Sequence, residues 1–69
     1  MVENLLEKLT KYSAQVSALK DAEANRDATI REIFAYCKQI GRRAPRSKMA
    51  EITGFDDAGG RLYQIRDGR

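Results

Sequence analysis

The chain has 69 residues, enough for one domain, and a domain of this size buries only about 60% of the surface its unfolded chain exposes. Charged residues make up 33% and aromatics 7%, which excludes a large aromatic core and makes oligomerisation a natural remedy for marginal stability. A formal net charge of +3 allows a polyanionic partner without demanding one.

The first forty residues read as one long helix. No Gly or Pro occurs before Gly41. Apolar residues recur at alternating spacings of three and four: Val2, Leu5, Leu9, Tyr12, Val16, Leu19, then Ile30, Ile33, Cys37 and Ile40. This is a heptad repeat, broken only by Glu23 and Arg26 in the stretch KDAEANRD, Lys20 to Asp27. That stretch is either a polar layer in a continuous coiled coil or the place where the stripe changes partner. The pattern predicts a helix whose front half, through Leu5, Leu9, Tyr12, Val16 and Leu19, packs on a second subunit. Its back half packs on the residues that follow. The alternative is a front half folded back as a hairpin on its own chain, and heptad spacing does not separate the two. The expected division is a dimerising coiled-coil half over residues 1–24 and a second unit over 25–69.

Gly41 ends the long helix. Pro45 suits the first position of a second helix running to Thr53, with Met49, Ala50 and Ile52 inward and Gly54 closing it. A third helix is predicted from Asp57 or Ala58 to Arg66. Its inward residues are Ala58, Leu62 and Ile65, and Asp56 or Asp57 caps its free N–H groups. Short helix, glycine-bearing turn, short helix is the helix-turn-helix pattern. The fold class expected is all-α: a long N-terminal coiled-coil helix followed by a C-terminal helix-turn-helix, together a three-helix DNA-binding unit.

The stretch MAEITGF…RLYQIRDG resembles the helix-turn-helix of small bacterial, plasmid and phage regulators, including the promoter-reading region of sigma factors. EANRDATIREIFAYCKQIG is similar to the long first helix of such proteins, so the likeness spans residues 23–68. It implies that Ala50 and Gly54 are the small residue and turn glycine of the first motif helix, and that Leu62 anchors the recognition helix. The chain departs from the pattern in one place. Leu62 follows Gly54 by eight residues where about six are usual, the extra length falling in FDDAGG. Gly59 and Gly60 either let the recognition helix start pass close to a phosphate or base edge, or form an elongated turn.

Charge is concentrated where this motif begins. Residues 1–24 carry −1, 25–45 carry +3 and 46–69 carry +1, and no acid interrupts the sequence between Glu32 and Glu51. Arg42, Arg43, Arg46, Ser47 and Lys48, with Arg66 near the other end, are therefore the expected phosphate contacts; Lys38 is equally well a solvated residue. Arg61, Gln64, Tyr63 and Gly60 are the expected base-reading set, since Arg pairs bidentately with guanine and Gln with adenine. Tyr63 also suits a packing role.

Catalysis finds no support. There is no histidine and no phosphate-binding GxxxxGK loop. A lone cysteine, Cys37, cannot form an intrachain disulfide or a zinc site; it sits on the apolar stripe as a core residue, with a redox switch the minor alternative. No cofactor is expected. No apolar run approaches a membrane span, and the first residues lack a secretory signal, so the expected location is the cytoplasm. The function expected is sequence-specific binding of double-stranded DNA by a homodimeric transcriptional regulator, reading half-sites about one helical turn apart. The competing expectation is a helical protein–protein interaction module, a phage-type inhibitor or adaptor.

Overall fold

A computed structural model describes residues 2–55 and 60–68. It contains four helices: α1 Val2–Gln15, α2 Ala22–Gln39, α3 Arg46–Thr53 and α4 Arg61–Arg66. The described residues include no strand, and no helix among them is long and apolar enough to cross a membrane. The expected capping by Asp56 or Asp57, the inward Ala58, Gly59, and the start of the last helix at residue 57 or 58 lie outside the described residues, as does Arg69.

The long first helix is not continuous, which corrects the coiled-coil expectation. α1 stops at Gln15, whose carbonyl accepts hydrogen bonds from the N–H groups of Ala18 (2.9 Å) and Leu19 (2.8 Å). The chain then reverses, and α1 lies along α2 with Lys8 Nζ 3.4 Å from Glu32 Oε2. The break falls upstream of Glu23, among residues that carry no Gly or Pro. Its physical reason is burial. A single helix over the first forty residues would be about 60 Å long and leave one apolar stripe in water. Folded as a hairpin, the two halves of the stripe cover each other in a molecule only 35 × 25 × 20 Å. Val16 and Ser17 are weak helix formers and yield at low cost.

The residues expected to dimerise are consequently redirected. Leu9 is 0% exposed and belongs to the same core as Ile30, Ile33, Cys37, Met49, Ala50, Leu62 and Ile65. It offers nothing to a second subunit. Leu5, Tyr12 and Val16 are half-buried, and Leu19 is 52% exposed. Complete burial of a Leu or Ile side chain stabilises the fold by roughly 1.5–3 kcal/mol, so Leu9, Ile30 and Ile33 are the centre of its stability.

The polar interruption in the stripe has a local solution. Arg26 is only 7% exposed. Its Nε and Nη2 both lie 3.0 Å from Asp27 Oδ1, and the guanidinium stacks 4.7 Å from the centre of the Phe55 ring. The charge is thus neutralised and covered at once.

Each remaining boundary has a visible cause. At the end of α2, Gly41 adopts φ 72° and donates to Lys38 O, while Arg42 N–H reaches back to Cys37 O at 2.8 Å. This pair of bonds is a Schellman closure, which requires the left-handed backbone that Gly adopts freely. Pro45 stands just outside α3 rather than at its first position. α3 ends at Gly54, whose N–H bonds Ala50 O. Met49 and Ala50 turn inward with α3 resting on α1, whereas Leu62 and Ile65 seat α4 on α2. Arg31 of α2 donates from Nε to Ile65 O at 3.0 Å, placing a cation at the carbonyl end of α4.

Candidate nucleic-acid interface

The Gly41 closure throws the chain off α2 and into Arg42–Pro45. Ala44 is drawn half inward against the core while Arg42 and Arg43 stay in water. α3 then begins with Arg46, Ser47 and Lys48. Its first turn contains no acid, and no side chain caps it. Cations at the positive end of a helix dipole lose roughly 0.3–1 kcal/mol relative to acids. Local stability therefore does not explain this choice of residues.

These residues border an open groove of about 820 Å³. Its walls carry Lys38 from α2, Arg42 and Arg43 from the connection, Arg46 and Lys48 from α3, and Arg66 from α4; Ser47 adds a hydroxyl, and among the described residues no carboxylate lines it. The floor is aromatic. Phe34 and Tyr63 lie with ring centres 5.8 Å apart. The Arg66 guanidinium is 4.9 Å from the Tyr63 ring and 5.6 Å from that of Phe34, and the Arg46 guanidinium is 5.4 Å from Tyr63. Arg46 of α3 and Arg66 of α4 thus meet over one ring, which ties together two helices that touch little otherwise. Cys37 is buried at the back of the groove.

All six residues singled out for phosphates, Arg42, Arg43, Arg46, Ser47, Lys48 and Arg66, line this one groove. Lys38 joins them. Arg66 is the most encumbered, since Nε and Nη2 also reach the Asp67 carboxylate at 3.0 and 3.4 Å.

The base-reading set is divided. Arg61 and Gln64 are exposed and linked to each other by a 3.4 Å hydrogen bond from Arg61 Nη1 to Gln64 Oε1. Arg61 leans toward Phe55, 5.8 Å from its ring. Tyr63 is half-buried and belongs to the groove floor. On a helix, positions two apart stand about 160° round the axis from one another, so Arg61 and Tyr63 occupy opposite flanks of α4. Gly60 precedes α4 with φ 74°, and its carbonyl accepts from Gln64 N–H at 3.1 Å.

Phe34 is the member that sequence reasoning missed. The available signal was its position one helical turn before Lys38, an aromatic beside a cation on the same side of α2. Among the described residues no group of His, Cys, Asp or Glu is arranged to hold a metal ion. No family model matches the chain, and comparison with curated proteins and with solved structures likewise yields no match.

Proposed function

We propose that this chain binds double-stranded DNA, with the groove cations on the phosphate backbone and the outer side of α4 turned to the base edges. The observation that carries the reading is the groove itself: six cationic side chains from three helices and a connection converge on one concavity, and among the described residues no carboxylate lines it. Such a surface attracts a polyanion by counterion release, and it does so without regard to sequence. Sequence preference then falls to Arg61 and Gln64, the exposed polar pair on α4 that lies outside the groove. The resemblance of residues 23–68 to helix-turn-helix regulators supports the same assignment and suggests a role in transcription.

A homodimer through α1 must use what the hairpin leaves outside, namely Tyr12, Val16 and Leu19. Pairing two such units supplies the affinity that a single small domain lacks, and it places two copies of α4 for half-sites about one helical turn apart.

The test is binding of random-sequence duplexes over a range of salt, followed by selection from a random pool. Engagement of about five phosphates gives a slope of log affinity against log salt near −4.5. Selection is expected to enrich one short motif. Absence of binding at low salt overturns the reading and leaves the groove to an acidic protein segment, the interaction-module alternative.

A further inference from the structure

The groove does not end at Arg66. A second hollow of about 330 Å³ adjoins it on the exposed side of α2, lined by Arg31, Phe34, Ala35, Lys38 and Arg66. Phe34, Lys38 and Arg66 line both hollows. Among the described residues no carboxylate lines the second either, and three of its five lining residues are cationic. Arg31 uses Nε on Ile65 O, one of the five N–H donors a guanidinium owns, so the bond holds the side chain in place without exhausting it.

We infer that the DNA backbone continues past the groove and onto α2, with Lys38 and Arg31 as further phosphate contacts and Arg66 at the junction. This rests on the duplex-binding reading above. Arg31 and Lys38 lie seven residues apart on α2, about 10.5 Å along its axis. One DNA strand rises about 3.4 Å per phosphate along the duplex axis, and its phosphates stand farther apart than that along the strand, so this stretch spans at most about three of them. The path runs from the first turn of α3, through Arg42 and Arg43, over Arg66 and along α2. It follows the side of the molecule bearing Tyr63, not the Arg61 flank. Lys38, which the sequence leaves equally as a phosphate contact or a solvated residue, becomes a central contact because both hollows share it.

The experiment compares Lys38→Ala, Lys38→Glu and Arg42→Ala with the wild-type chain on random duplexes. The readouts are the salt slope on those duplexes and, on one duplex selected from the random pool, the phosphates detected by ethylation interference. Lys38 is exposed and has no carboxylate within 4.0 Å among the described residues, so folding is not at issue, and the exposed Lys11→Ala variant on α1 serves as the control. Lys38→Ala is expected to reduce the slope by about 0.9 and to remove interference at one end of the footprint only. Lys38→Glu is expected to weaken binding further at low salt, and Lys11→Ala to change neither readout. If Arg42→Ala flattens the slope while both Lys38 variants keep the wild-type slope and footprint, the extension onto α2 is overturned and the groove reading stands. If the wild-type chain binds no duplex, both fall together.

Discussion

Arg26 and Arg42 are the same kind of residue handled in opposite ways. Arg26 is buried, held by Asp27, approached by Glu23 at 4.0 Å and covered by Phe55. Arg42 is exposed on a wall shared with other cations and, among the described residues, no acid. The contrast extends to the regions around them. In the α1–α2 hairpin two cations are answered within the chain, Arg26 by Asp27 and Lys8 by Glu32. Around the connection between α2 and α3, Arg42, Arg43, Arg46 and Lys48 form no ion pair among the described residues. Like charges held close raise the free energy of the folded state. The paired charges of the hairpin therefore serve folding, whereas the groove cations gain nothing from one another, which supports the proposed anionic partner.

The comparison can be broken most forcefully from the hairpin side. Leu9→Ala empties a completely buried position, and a large-to-small change in such a core costs about 2–5 kcal/mol. Urea denaturation is expected to show a loss in that range, which for a domain this small approaches the whole stability. A loss below about 1 kcal/mol would mean that Leu9 is not buried and that the hairpin is wrong, whereas a full loss that depends on protein concentration would place Leu9 against a second subunit.

Next comes the difference between the two arginines. Removing Arg26 leaves the Asp27 carboxylate, which is half-buried, without its partner. Stability should fall by about 1–3 kcal/mol while the folded fraction binds DNA as before. Arg42→Ala should do the reverse, leaving the denaturation midpoint within about 0.5 kcal/mol and reducing the salt slope by about 0.9. Equal effects of the two substitutions on both measurements would erase the distinction between folding charges and binding charges.

What was legible in the sequence follows the same division between local and distant causes. Gly41 and Gly54 as stop signals, Leu62 and Ile65 as the inward pair of the last helix, and the acid-free basic run are properties of neighbours in the chain, and each has its counterpart in the structure. The turn over residues 16–21 was not legible. A heptad stripe has one appearance whether it meets another chain or its own continuation, and no Gly or Pro marks the reversal. The arrival of Arg66 and Tyr63 beside Arg46 was equally hidden. It depends on α4 seating on α2 through Leu62 and Ile65 and on the Arg31 bond to Ile65 O, contacts between residues more than twenty positions apart. Arg26 appeared in the sequence as a failure of the stripe, because the aromatic ring that covers it lies 29 positions away.

A finer cut separates the two flanks of α4. Arg61→Ala and Gln64→Ala should leave affinity for random duplexes almost unchanged. Each is expected to reduce the preference for a selected site by roughly 1–3 kcal/mol. Competition binding between selected and random duplexes measures this directly. Uniform weakening on both would assign the pair to phosphates and move base readout to the groove flank.

The smallest effect is expected at Tyr63, and it distinguishes what the ring does from what the hydroxyl does. The ring packs on Phe34 and lies under the guanidiniums of Arg46 and Arg66. Tyr63→Phe keeps all three contacts, so stability and affinity should both stay within about 0.5 kcal/mol of wild type. Tyr63→Leu keeps bulk but loses the negative ring face, at roughly 0.5–1 kcal/mol for each exposed guanidinium it no longer orders. That loss should appear in duplex affinity as well as in stability, because Arg46 and Arg66 are then free to leave the positions in which they face the backbone together. A Phe variant that binds as weakly as the Leu variant would show instead that the phenolic oxygen touches the DNA, and the floor of the groove would have to be counted among its contacts.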